Sequence, residues 1–473
     1  MGSPRRRRAA LRLGTSSACA WLLACTAPPG GTGSEGSSSD TGEQGEDLRP
    51  SWHQDVAPIV HGHCASCHVQ GGFGPFELGS YEQAAQWADP IAEAVEAQTM
   101  PPWGAHDTPE CQIEHAWVGD LRLSEQERAT IVDWVAAGAP EGDPAQAAPL
   151  PEPEAASLGE PNAIYSLPSP LTVEGNDDVY VCVSLDLGLD QEVWLTGAEL
   201  LPDNEAILHH AITMLDTSGA SAELAGSDGV YPCAALHDVN YFFSNYFPGS
   251  GPTLMPEGVG AALPPEGRLL ISFHYHPSPS APNVDDSRIA LRWTTTEPEY
   301  EAVITAVGNA QTAAEGLHFG PDDPNGIPTF LIPAGASAHA ETMSAVFPEQ
   351  LPEAELFMLT PHMHHIGVDF MVSLEREGQR SCLIQNPRWD FDWQLVYGTD
   401  GEAAPRPTVR GGDRIELRCT YDNSLGNPAM VEQMVAAGLD EPIDVYYGDG
   451  GLSEMCMLIY GVALPPGWDE PQP

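Results

Sequence analysis

Lysine is absent from this chain. All 18 basic residues among the 473 are arginine, against 68 acidic ones. Arg5, Arg6, Arg7, Arg8 and Arg12 crowd the first twelve positions. Setting that segment aside leaves thirteen basic side chains and moves the formal charge from −50 to about −55. A surface of this sign repels a polyphosphate backbone or an anionic bilayer, so nucleic acid is not an expected partner. Acidic side chains without lysine also read as a surface adapted to salt. Long apolar runs are missing too: after residue 25 no stretch approaches the ~18 apolar residues of a transmembrane helix. The length excludes a single small module, since ~100–200 residues per domain leaves room for two to four. Gly (47) and Pro (45) form roughly a fifth of the chain, below the level of disordered sequences but enough to favour turn-rich β architecture.

The amino terminus has a definite character. Arg5–Arg8 form a cationic region, and residues 11–24 form a small-residue apolar stretch too short to span a bilayer, which reads as an export signal over residues 1–25. Its end, Leu22-Leu23-Ala24-Cys25, resembles a bacterial lipobox, in which Cys25 is lipidated. The expected location is therefore outside the cytoplasm, in the periplasm or cell envelope of a bacterium, with membrane contact only through that lipid. Residues 26–50 hold almost no large apolar side chain and cannot repay the entropy of ordering, so they read as a tether.

Residues 51–145 contain the first chemistry. Cys64-Ala65-Ser66-Cys67-His68 is C-x-x-C-H, in which two thiols add to the vinyl groups of haem c and the adjacent histidine reaches the iron. A zinc knuckle would need a second ligand pair nearby and a thioredoxin site a βαβ context, and neither pattern is present. Met100 is the candidate sixth ligand, with His106 and His115 as alternatives. Ser80…Gln83 and Ser124…Glu127 fit capping boxes, the second opening a helix with Ile131, Trp134 and Val135 on one face before Gly138-Ala139-Pro140 ends it. The segment resembles a small class I cytochrome c, which implies an electron carrier in a small helical domain. A Pro/Ala/Glu-rich linker, 146–160, follows.

From residue 161 onward, short apolar runs alternate with turn signals: 180–187, 192–200, 269–275, 288–294, 356–359, 370–374 and 414–420. That spacing predicts β-sandwiches or jelly rolls, two of them, over 161–297 and 298–473. The expected fold class is thus a small helical cytochrome c-like domain followed by two all-β jelly rolls. Histidines cluster on these runs. His209-His210 are neighbours on an apolar strand, where successive side chains point to opposite faces, so both can serve one metal only if the strand twists or bulges. His274 and His276 share a face, as do His362 and His364.

With Ser453-Glu454-Met455-Cys456-Met457, these clusters fall in the order found in the type II, ascorbate-dependent copper monooxygenases, the family of peptidylglycine α-hydroxylating and dopamine β-monooxygenases, which residues 161–465 resemble. Further matches are Gln385-Asn386-Pro387 and residues 411–419. The resemblance implies two copper ions facing across a water-filled cleft. His209, His210 and His274 would hold the electron-donating copper, and His362, His364 and Met455 the oxygen-binding copper, where catalysis occurs. Thioether sulfur favours Cu(I), which fits the reduced state that meets O2. The resemblance also implies a Cys419–Cys456 disulfide. Cys111, Cys182, Cys233 and Cys382 remain, with three pairings open.

Thr360 stands where peptide-amidating members of the family carry an arginine for a substrate carboxylate, and Met457 and Ile459 replace two polar positions of that pocket. The expected substrate is a small, apolar C–H donor, hydroxylated with O2. The electrons come from ascorbate or another one-electron reductant, an extracytoplasmic donor, or the chain's own haem. One alternative is a non-catalytic haem and copper electron-transfer or copper-binding protein. The other is a hydrolase using His362, His364 and His365 with Asp369, whose spacing lacks the usual acid between the histidines.

Overall fold

The structure, a computed structural model, describes residues 49–468 apart from 71, 73, 152–156, 176–178, 234–240, 249, 278–281 and 449–451. The expected export signal with Cys25, and the tether as far as residue 48, lie outside the described residues.

Strands begin where alternating apolar side chains do. The runs expected at 180–187, 192–200 and 288–294 are the strands Val179–Asp186, Val193–Leu201 and Arg288–Thr294. A ten-stranded sheet runs from Ala163–Ser166 at one edge to Tyr397–Gly398 at the other. A five-stranded sheet contains Val179–Asp186, Arg268–Tyr275, Leu208–Asp216 and Tyr241–Tyr246 in that order. Leu195, Leu208, Phe243, Phe273 and Ile289 pack between it and the large sheet. A four-stranded sheet, ordered His339–Val346, Arg414–Tyr421, Gly367–Arg376 and Gln379–Asn386, contributes to a second core with Leu356, Phe370, Leu417 and Leu458. The large sheet belongs to both halves. Its strand Tyr300–Gly308 pairs in parallel with Val259–Leu263 and antiparallel with Met457–Leu464, so the expected boundary at 297 falls inside one continuous sheet.

The expected fold class needs correction. Both capping boxes form, at Ser80/Gln83 and Ser124/Glu127, and helices at Ala57–His63, Tyr81–Gln86, Ala88–Glu96 and Glu125–Ala136 share a core of Trp52, Val60, Ile91, Ile131 and Trp134. The chain between them leaves that core. Trp103, Ala105 and Trp117 are buried with Leu356, Leu383 and Tyr397 of the β region, and Cys111 is bonded to Cys382. There is no free-standing cytochrome c-like domain. Arg49–Pro473 closes as one compact, mainly β unit with a helical lobe. Apolar residues such as Trp103 and Trp117 would satisfy any core, and nothing in their spacing says which one they enter.

Candidate metal centres

The first centre is built by a strand irregularity. Along the antiparallel pair Arg268–Tyr275 and Leu208–Asp216, His274 pairs with His210 but Tyr275 pairs with Leu208, so His209 is the extra residue of a β-bulge. The bulge re-aims His209. The three rings come together, with His209 Nδ1 at 3.1 Å and His274 Nδ1 at 3.3 Å from His210 Nδ1. All three offer a nitrogen within 4.8 Å of the others. Two imidazoles bound about 2.0 Å from one metal, roughly 100° apart, set their nitrogens about 3.1 Å apart, so the trio fits a shared cation. Burial first, and then the neighbouring histidines, holds the His210 pKa well below its ordinary value, which keeps the ring neutral as a ligand must be. Tyr180 stacks on His274 with centroids 4.2 Å apart.

At the second centre the imidazoles are held by their other nitrogens. His362 Nδ1 donates to Gln394 Oε1 at 2.6 Å, and His364 Nδ1 to the Ser453 carbonyl at 2.8 Å. That tautomer places the lone pair on Nε2 of each ring. The ring centroids are 5.3 Å apart. Burial, then His364, lowers the His362 pKa to about 4, against the pull of Gln394. The Met455 backbone is brought here by register and by its neighbours: His362 pairs with Met457, and Ser453 and Glu454 bond the 364–366 turn. The buried Glu454 carboxylate locks that turn, accepting from His364 N at 2.8 Å and Ile366 N at 2.9 Å. Burial pushes its pKa up to about 8 although backbone N–H groups pull it down. Tyr421 donates to the Met455 carbonyl at 2.7 Å, and the Cys419–Cys456 disulfide braces the same segment. Two histidines and a thioether form a donor set suited to Cu(I).

The Asp390–Gln394 loop lies beside both centres. Trp393 approaches His209, centroids 6.4 Å apart, while Gln394 holds His362. Thr360 pairs with Ile459, and its hydroxyl is buried without a hydrogen-bond partner. Asp369 is occupied by Gln385 Nε2 and Arg418, which removes it from the role a hydrolase would need.

The thiol motif follows the Ala57–His63 helix, with His68 N bonded to Cys64 O at 3.0 Å. His68 Nδ1 donates to Phe76 O at 2.9 Å, which directs Nε2 to act as the ligand. A Cβ on Gly74 would come within 2.6 Å of His68 Nδ1, so the backbone passes the imidazole at a distance only glycine allows. Phe76 stacks on Trp87 at 4.2 Å, and both line a cavity of about 410 Å³ with Val69, Gly72 and Gly74. Among the described residues Cys64 and Cys67 are the cysteines outside disulfides. These features fit covalent haem at Cys64, Cys67 and His68. Met100 sits elsewhere: it is 40% exposed and lines a second cavity of about 500 Å³ with Val95, His106 and Arg122. The alternatives His106 and His115 each bury an Nε2 without a partner.

The cysteine pairings left open are Cys111–Cys382 and Cys182–Cys233. With Cys419–Cys456 they fit an oxidising, extracytoplasmic environment. No helix among the described residues is long and apolar enough to cross a membrane. Gln394, Ser453, Glu454 and Tyr421 were not evident as site residues; only the adjacency of Ser453 and Glu454 to Met455 pointed toward two of them.

No family profile and no curated protein matches the chain. Among solved structures, similarity is found to the major capsid protein P2 of bacteriophage PM2, at 9% identity and TM-score 0.24 over 65% of this chain and 98% of that one. It is also found to an allantoicase, at 12% identity and TM-score 0.14 over 54% and 81%, and to a Paenibacillus xanthan lyase, at 12% and 0.18 over 71% and 29%.

Proposed function

We propose that this protein is an exported, copper-dependent monooxygenase that hydroxylates a C–H bond of a small apolar substrate. Cys25 is its lipid anchor. The observation that carries the reading is the pair of differently built histidine centres: three imidazoles converging through Nδ1, and two held by Nδ1 so that Nε2 is left for a metal, next to the backbone segment that carries Met455. Copper, when bound, supplies one-electron chemistry and O2 activation at these centres; covalent haem at Cys64, Cys67 and His68 supplies electrons. The balance is one substrate C–H bond, O2, two electrons and two protons in, and one alcohol and one water out.

The protein's own residues set the rest. Gln394 and Ser453 orient the rings of His362 and His364, Glu454 holds the turn between them, and the adjoining strand positions Thr360, Met457 and Ile459 carry no cation. Loss of a guanidinium at position 360 removes bidentate carboxylate binding, which favours neutral substrates over peptide termini. Metal and haem analysis of the purified protein tests the cofactors: two coppers and one covalent haem per chain are expected. Label from heavy O2 in an alcohol product, lost in Met455→Ala, tests the chemistry. Copper and haem bound with no product from any apolar donor would instead favour an electron-transfer or copper-binding protein.

A further inference from the structure

Four consecutive residues, 245–248, contact the thiol motif directly and the two histidine centres through one neighbouring residue each. Cys67 Sγ lies 3.3 Å from the Pro248 carbonyl, seating the thiol motif on the end of the Tyr241–Tyr246 strand. Tyr246 pairs with Ala211, the residue after His210. Asn245 Nδ2 donates to the Gln394 carbonyl at 3.3 Å, and the Gln394 side chain holds His362. From this arrangement we infer that Asn245–Pro248 is the electron conduit from the haem site to both metal centres. The inference rests on the copper and haem reading above.

The physical case is connectivity. Electron tunnelling is carried better by covalent and hydrogen bonds than across gaps, and here the path from Cys67 to His210 is one sulfur–carbonyl contact, a short run of backbone and one strand pairing. Thioether formation consumes the thiol hydrogen; the conduit needs the proximity of sulfur and carbonyl, not that hydrogen. The path to His362 leaves the same strand one residue earlier. Tyr246 is 5% exposed, and its hydroxyl is buried without a partner. Tyr246 and Pro248 are the buried part of this route, and Cys67, Asn245 and Phe247 are half-buried. Each transfer moves one electron from ferrous haem c to Cu(II), leaving ferric haem and Cu(I), with no bond broken and no proton moved. An ascorbate-type or small-protein one-electron donor then reduces the haem again. Holding donor and acceptor in one compact unit replaces a diffusional encounter by an internal step.

Pulse radiolysis of the full chain carrying haem and Cu(II), without O2 or substrate, tests this by adding less than one electron per chain. Haem absorbance should rise and then decay in a first-order phase independent of protein concentration, matched by loss of the Cu(II) resonance. Inserting three glycines between Phe247 and Pro248 should abolish that phase. The same insertion after Gly188, an exposed glycine with positive φ where an added Cβ would meet nothing within 4 Å, should leave it intact. Should the first insertion prevent folding, Asn245→Ala serves: it should slow reduction of the His362/His364 copper several-fold relative to that at His209/His210/His274. A decay that scales with protein concentration, or one unchanged in these variants, overturns the conduit while leaving the cofactors standing. Protein without covalent haem or copper overturns both readings.

Discussion

His274 pairs with His210 across neighbouring strands, and the next pairing skips His209. That single extra residue lets two sequence neighbours face one point, which a regular strand forbids because successive side chains alternate faces.

Metal should therefore stabilise the fold through this trio. At a free copper concentration about 100 times Kd, linkage gives about 2.7 kcal/mol per site, read as a rise in unfolding midpoint. His274→Ala should lose that increment and bind one copper fewer, whereas chelation of the wild type should remove both coppers and both increments. Equal copper content in the variant would remove His274 from the ligand set.

Gln394 fixes the tautomer of His362 from 2.6 Å away. Gln394→Leu should weaken copper at the second centre by about 10–100-fold, the usual cost of losing such a partner. Gln394→Glu, which keeps an acceptor, should recover most of the affinity. Competitive titration against a chelator measures both, and a simple packing role would show no such recovery.

Cys111–Cys382 closes the largest covalent loop among the described residues, its ends separated by 271 positions. Cys111→Ser with Cys382→Ser should cost about 2–5 kcal/mol. Because Trp103 and Trp117 sit in the β core, the helical lobe and β region should still unfold in one transition. An early, separate helical transition in the disulfide-intact protein would contradict the single compact unit.

His339 supplies a pH dependence away from the metals. Burial alone would lower its pKa, but Glu341 at 2.9 Å and Asp322 at 3.3 Å outweigh burial and hold it above the ordinary 6.5. A raised histidine pKa contributes stability that is complete below the unfolded value and is lost as pH rises through the folded one. Denaturation midpoints should decline as pH climbs above 6.5, and His339→Gln should lack that decline.

Glycine-extended peptides should not be turned over, since Thr360, Met457 and Ile459 offer no cation to a carboxylate. Thr360→Arg should introduce measurable binding of such peptides. Turnover of these peptides by the wild type would refute the preference for neutral substrates.

Much was legible before any coordinates. Strand positions followed from alternation and turn residues, and both helix starts from Ser-x-x-Gln and Ser-x-x-Glu, because local hydrogen bonding decides a cap. The requirement for a bulge at His209-His210 followed from strand geometry alone. The candidate copper ligands and the Cys419–Cys456 pairing are what the family resemblance implies; of these, the disulfide forms. Other features depended on contacts between distant parts of the chain. The partner of Cys111, the burial of Trp103 and Trp117 with strands hundreds of residues away, and the hold of Gln394 on His362 carry no local signature. The sequence by itself determined the chemistry available, through residue type and near-neighbour spacing. Only the tertiary structure decided that a helical lobe, a shared ten-stranded sheet and two histidine centres close into one unit, because long-range packing selects among cores that any apolar side chain would accept.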